Sequence, residues 1–206
     1  MKGTFDRKAY WEARILAWER FRYSRFTWLW PPAWPLRSRL RAAVLEAMRF
    51  LPEGGSVLEL GCGSGLFAAA LEHRAGSFVG IDLSEAAVQK ARRRVPRFEF
   101  RQGDVLTAEL PRADLVVFLG LLDWLTAEEA AHLFSKLQGQ TLLFSFTVPG
   151  GFGPYRLYRR FVDRKLGRDI YRGRSWEPEA IEALAGSVEI VHCPWWNPGR
   201  LAIRKP

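Results

Sequence analysis

Apolar positions recur along the chain in two rhythms. From Phe5 to Phe26 a stretch without proline places Trp11, Ile15, Trp18 and Arg22 on one stripe, and this spacing predicts a helix. The run Phe26-Thr-Trp-Leu-Trp-Pro-Pro-Ala-Trp-Pro ends it, because its prolines lack amide donors and push their predecessors into extended backbone. A second helix is expected from about Leu36 to Phe50, stopped by Pro52 and Gly54-Gly55.

Beyond Gly55 the rhythm changes to short apolar runs that alternate with helical stretches, the pattern of a parallel sheet with crossover helices. The expected strands are Ser56 to Leu60, Ser77 to Ile81, Phe98 to Arg101, Asp114 to Leu119 and Thr141 to Thr147. The expected helices between them are Leu66 to Arg74, Ser84 to Arg94 and Thr126 to Leu137. Leu115-Val-Val-Phe-Leu is apolar at every position, as a strand covered on both faces must be. After the loop Pro149-Gly-Gly-Phe-Gly-Pro come a basic helical stretch, Tyr155 to Gly167, and a helix from Glu177 to Leu184. Strands Val188 to Cys193 and Leu201 to Arg204 follow, joined through Pro198-Gly199 as a hairpin. The fold class expected is α/β, with residues 1–55 as a helical cap on a domain of residues 56–206 that carries a basic insertion at 149–175.

Composition narrows the class. In 206 residues, 48% hydrophobic and 26% charged content suits a compact domain and excludes disordered and collagenous chains. Two cysteines, Cys62 and Cys193, make no disulfide framework, and with His73, His132 and His192 they are too scattered for a zinc site, so no metal is expected. The start, Met-Lys-Gly-Thr-Phe-Asp-Arg-Lys, lacks the apolar segment of a secretory signal, and a cytoplasmic location is the expectation. No apolar run approaches the roughly 20 residues of a membrane span.

The candidate chemistry begins at Val57-Leu-Glu59-Leu-Gly61-Cys62-Gly63-Ser-Gly65, where the first strand hands over to a helix. Glycines there let the backbone turn tightly and approach a ligand beside an electropositive helix end. Two acids accompany the loop: Asp82 closes the second strand, and Asp104 follows the third in Gln102-Gly-Asp-Val. An acid at the end of the second strand, about 20 residues past the glycines, is placed to bind ribose hydroxyls. The spacing is E-x-G-x-G-x-G and departs from the G-x-G-x-x-G of dinucleotide binders, since position 66 is Leu. No Tyr is followed four residues later by Lys, the pair expected of a short-chain dehydrogenase.

In this ordered set, with Gly80-Ile-Asp-Leu-Ser, Gly103-Asp-Val and Asp114-Leu-Val-Val, the chain resembles the class I S-adenosylmethionine-dependent methyltransferases over roughly residues 57–146. Within that class it resembles the small-molecule branch related to quinone-biosynthesis O-methyltransferases. The resemblance implies a Rossmann-like, seven-stranded, mostly parallel sheet with a C-terminal antiparallel hairpin, and S-adenosylmethionine as cofactor. It also implies roles. Gly61, Cys62, Gly63 and Gly65 would form the loop under the methionine part and ribose, oriented by Glu59. Asp82, with Leu83 next to it, would hold the ribose diol, and Asp104 and Val105 would meet the adenine. Leu119 and Gly120 would lie along the cofactor, and Arg37 would hold its carboxylate.

A sulfonium methyl is already activated, so transfer mainly requires an acceptor held in line with water excluded. Where the acceptor is a hydroxyl, Asp123 and His192 are the candidate catalytic bases. Many relatives have His at the position of Asp123, which sets this chain apart.

The formal charge of +9 is unevenly distributed. Residues 1–56 carry 11 basic and 5 acidic residues, and residues 156–174 carry 8 and 2, whereas 57–155 carry 9 and 11. Five of the nine tryptophans (11, 18, 28, 30 and 34) lie in the first basic segment. Both segments sit where this class frames its acceptor, so a small aromatic or lipid-like anion is the expected substrate. Peripheral docking of residues 1–40 and 156–174 on an acidic inner membrane surface is a second use of the same residues. RNA as acceptor, or a non-catalytic cofactor-fold binding protein, is the rival from another class.

Overall fold

A computed structural model describes residues 6–23, 34–150, 174–192 and 199–206. The expected basic helix at 155–167, Trp28, Trp30, Cys193 and the Pro198 turn lie outside them.

Helix α1 (Arg7–Tyr23) and helix α2 (Trp34–Phe50) precede the sheet. Helix α2 starts two residues before the expected Leu36, since Pro35 falls in the first turn, where helix amides need no intrahelical acceptor. Strand β1 (Ser56–Leu60), helix α3 (Leu66–Ala70), strand β2 (Ser77–Asp82), helix α4 (Glu85–Arg94) and strand β3 (Glu99–Gln102) form the first half. Strand β4 (Leu115–Leu119), a 3-10 turn (Leu122–Trp124), helix α5 (Ala127–Lys136) and strand β5 (Leu142–Thr147) follow. Helix α6 (Pro178–Ala185), strand β6 (Glu189–His192) and strand β7 (Gly199–Arg204) complete it. Helix α3 is shorter than expected: past Ala70 the chain turns, with Leu71 and Arg74 donating amides to Ala68 and Leu71 carbonyls.

The seven strands lie in the order β3-β2-β1-β4-β5-β7-β6. Pairings from β3 through β5 are parallel, and β7 runs antiparallel to both β5 and β6. This is the Rossmann-like sheet expected, with the antiparallel hairpin at its C-terminal side. The order reverses between β1 and β4, and the crevice above the carboxyl ends of strands at such a switch point is where open α/β sheets take ligands.

Strand side chains alternate between two cores. Val57, Phe78, Phe100, Leu115, Val117 and Leu143 pack with α2, α3 and α4 through Ala47, Phe67 and Val88. Leu58, Leu60, Val116, Phe118, Phe144 and Phe146 pack with α5 and α6 through Leu133, Phe134 and Ile181. Both faces being covered explains the uninterrupted apolar strands. Trp176 belongs to the second core: it is 6% exposed, and its ring N–H donates to the Leu122 carbonyl at 3.0 Å. No helix among the described residues is long and apolar enough to cross a membrane.

Candidate active site

The glycine loop is fixed from several sides. Gly61 and Cys62 donate their amides to the Ile81 carbonyl at 2.8 and 3.2 Å, joining the end of β1 to the end of β2. Gly61, Gly63 and Gly65 all have positive φ, at 74°, 52° and 73°, a conformation that costs other residues roughly 1–2 kcal/mol. At Gly65 a side chain would also meet Ala91 of α4, 3.1 Å from its Cβ. The Arg94 guanidinium donates to the carbonyl and hydroxyl of Ser64.

Asp82 is 8% exposed and accepts the Gly63 amide at 2.8 Å and the Ser84 amide at 2.9 Å. Burial pushes its carboxyl above the ordinary value, against the pull of those two amides. Glu59 is 4% exposed; burial first, then the charges of Asp82 and Glu19, push its carboxyl well up. Burial pushes the Cys62 thiol up as well, with Asp82 and Glu59 adding to the effect, so its environment opposes thiolate formation. The Asp104 carboxylate accepts the Leu106 amide at 3.0 Å, and its carbonyl accepts those of Thr107 and Ala108.

A cavity opens above the ends of β1, β2 and β4. Of the residues expected at a cofactor, Gly61, Asp82, Leu83, Asp104, Val105, Leu119 and Gly120 line it. Glu59, Cys62, Gly63 and Gly65 do not line it. They shape the loop beneath or beside it. The opposite wall comes from α1, through Arg7, Trp11 and Ile15, and from Leu121, Trp124 and Leu125. Trp11 meets Trp124 edge-on with centroids 4.8 Å apart, and Tyr10 lies 5.4 Å from Trp124.

Asp123 does not line the cavity, and its carboxylate accepts the Thr147 amide at 3.1 Å and the Thr147 hydroxyl at 3.0 Å. Its carbonyl accepts the Arg174 amide at 2.7 Å. This arrangement favours an anchor between the 3-10 turn and the end of β5 over the proton acceptor expected from the sequence. The side chain of Arg37 lies outside the described residues, whereas the Arg39 guanidinium lies 3.3 Å from the point a Gly120 Cβ would occupy. His192 ends β6 opposite Leu201, and its side chain is outside the described residues. No group of three or more metal-ligating side chains occurs among the described residues.

Residues 57–140 match the family described as "Methyltransferase domain". That stretch contains the glycine loop, both acids and the end of β4. A carboxy-S-adenosyl-L-methionine synthase of Wolinella succinogenes is 35% identical to the chain over 100 residues, 44% of this chain and 42% of that protein. A demethylmenaquinone methyltransferase of Tropheryma whipplei is 30% identical over 161 residues, 72% of this chain and 63% of that one. The matches thus span less than two thirds of these curated relatives. In fold, the magnesium protoporphyrin IX methyltransferase of Synechocystis with bound S-adenosylhomocysteine superposes with TM-score 0.72 at 17% identity, over 96% of this chain and 98% of that one. S-adenosylmethionine is the cofactor of this methyltransferase family.

The residues present fit that cofactor. Gly61 brings backbone without a side chain to the cavity, and Asp82 and Asp104 reach it from adjacent strands. Buried carboxylate oxygens of Glu59 and Glu19 lack hydrogen-bond partners among the described residues, as they would beside a missing cationic group.

Proposed function

We propose that the chain transfers a methyl group from S-adenosylmethionine to a small aromatic or lipid-like anionic acceptor. The observation that carries this reading is the composition of the cavity: motif acids and glycines on one wall, Trp11, Ile15, Leu121, Trp124 and Leu125 on the other. When bound, the cofactor supplies an activated methyl on sulfur. The chain's own task is then to bind, align and exclude water.

In this reading Asp82 accepts hydrogen bonds from the ribose diol, and Asp104 with the Val105 amide receives the adenine. Arg39, which makes no hydrogen bond or ion pair among the described residues, takes the carboxylate role first expected of Arg37. Residues 1–55 serve as a cap, since α1 supplies the wall facing the motif. Apolar and indole surfaces give a planar or hydrocarbon acceptor a face to lie on. Arg7 faces the cavity but is paired with Glu129, so the preference for an anion rests on Arg39, near Gly120, and the basic flanking segments. No base is assigned from the cavity: Asp123 is engaged by Thr147, and an acceptor of low enough pKa needs none.

The test is transfer of isotopically labelled methyl from S-adenosylmethionine to a panel of phenolic acids and long-chain carboxylates, beside tRNA and anionic vesicles. Label appearing in the small acids supports the reading. Label confined to tRNA, with a steep loss on adding salt, overturns it in favour of an RNA methyltransferase.

A further inference from the structure

The N-terminal helix places an acid on the cofactor loop that no motif predicts. Glu19 of α1 accepts the Ser64 amide through Oε1 at 2.8 Å, and that oxygen lies 2.5 Å from where a Gly63 Cβ would stand. Its other oxygen, Oε2, is buried without a hydrogen-bond partner among the described residues. Glu59, 96% buried, presents an Oε2 in the same condition.

Asp82 completes the group, and the three carboxylates repel one another: Glu19 and Asp82 both act on Glu59, and Glu19 acts on Asp82. No Lys, Arg or His among the described residues forms an ion pair with any of them. Nor do they form a group suited to a metal ion. Buried negative charge of this kind calls for a cation with several donors, and orphaned acceptor oxygens mark where those donors belong.

We propose that Glu19 and Glu59 together seat the ammonium group of the cofactor's amino-acid end, so that cofactor binding and docking of α1 are one event. This rests on the reading of the cleft as an S-adenosylmethionine site. Two of an ammonium's three N–H donors suffice for the two orphaned oxygens, and its charge relieves the repulsion. The same helix carries Trp11 and Ile15 into the acceptor wall, so a cofactor held through Glu19 also sets that wall. Glu19 is a binding and positioning residue that sequence motifs do not reveal, because it lies 45 residues before its partner in the loop.

The experiment compares two ligands by calorimetry. S-adenosylhomocysteine carries the ammonium, and 5′-methylthioadenosine shares its nucleoside and thioether but lacks the amino-acid end. Glu19→Gln keeps an oxygen for the Ser64 amide and removes the charge. It is expected to weaken S-adenosylhomocysteine about tenfold or more, the loss of one charged hydrogen bond, while methylthioadenosine changes by less than about twofold. Retained methylthioadenosine binding also shows that the variant is folded.

Glu12→Gln provides the comparison, since Glu12 holds α1 to the Ala86 amide at the start of α4 and its charge acts on Asp82, whose ribose contact both ligands share, and not on Glu59. It is expected to leave the ratio of the two affinities unchanged. In the wild type, S-adenosylhomocysteine is expected to slow tryptic cleavage after Arg14 more than methylthioadenosine does. Equal loss of both ligands in Glu19→Gln, unchanged S-adenosylhomocysteine affinity, or a ratio shifted equally by Glu12→Gln would overturn the proposal. A folded wild type that binds methylthioadenosine but not S-adenosylhomocysteine overturns it too, and one that binds neither removes the cofactor reading beneath it.

Discussion

Arg7 and Glu129, 122 residues apart in the chain, meet with Nη2 2.8 Å from both carboxylate oxygens. Glu129 also closes a capping box with Thr126, so one side chain starts α5 and holds α1 across the cavity. Neither partner is fully buried, at 23% and 29% side-chain exposure, and the pair is worth roughly 1 kcal/mol. Arg7→Ala is expected to lower stability by about that amount and to speed amide exchange in α1 while exchange in β1 and β4 stays unchanged. Burial pushes Glu129 up, but the Thr126 amide and Arg7 hold it below its ordinary 4.5. The contribution of the contact is therefore present above pH 4.5 and lost as pH falls below it.

Asp123 and Thr147 give a second prediction. Asp123→Ala leaves the half-buried Thr147 amide and hydroxyl without their acceptor, which should cost about 1–3 kcal/mol in denaturant unfolding. Thr147→Val removes one of the two bonds, so the double variant should lose less than the sum of the single ones. If Asp123 acts as a base instead, Asp123→Asn will hold its stability and lose methyl-transfer rate.

Gly65→Ala combines a left-handed φ of 73° with contact against Ala91. A loss of roughly 1–2 kcal/mol is expected from the conformation alone, with weaker binding of S-adenosylhomocysteine because the loop must shift. A thermal midpoint and affinity equal to the wild type would count against the tight loop packing described here.

Most of the sheet was legible from the sequence, because strands covered on both faces leave continuous apolar runs and the glycine loop needs its residues at fixed spacing. Gly61, Asp82 and Asp104 therefore come together at the strand ends. The wall opposite them was not legible. The stripe of Trp11 and Ile15 shows that one face of α1 is buried, but periodicity does not say against what. Arg37 and Arg39 illustrate the same gap: two residues turn a helix by about 200°, so choosing between them requires knowing which face meets β4. Trp124 was hidden in a 3-10 turn too short to have a period. Two tryptophans now have a place at the cavity and Trp176 has one in the core, so the indole content serves both site and packing.

Glu59 gives a prediction in pH. Its carboxyl is raised from 4.5 by burial, Asp82 and Glu19, so the folded state binds a proton more readily than the unfolded state does. Stability of the ligand-free protein is then highest below pH 4.5 as far as this group is concerned, and falls as pH rises through the folded-state value. Glu59→Gln removes that loss. Its thermal midpoint should exceed the wild type's at pH 7 and converge with it near pH 4, with a residual slope from Asp82, which is raised in the same direction. A Glu59→Gln midpoint below the wild type's at pH 7 would contradict this reading of the cluster.

Calorimetric titration of S-adenosylhomocysteine decides whether the glycine loop and Asp82 form a cofactor site. Asp82 both reaches the cavity and holds the Gly63 amide at 2.8 Å, so Asp82→Ala removes a ligand contact and the loop's anchor together. One-to-one binding to the wild type is expected, with at least about a hundredfold weaker binding to Asp82→Ala, the loss of two charge-assisted hydrogen bonds. A folded wild type that releases no heat, or an Asp82→Ala variant that binds as tightly as the wild type, would contradict it.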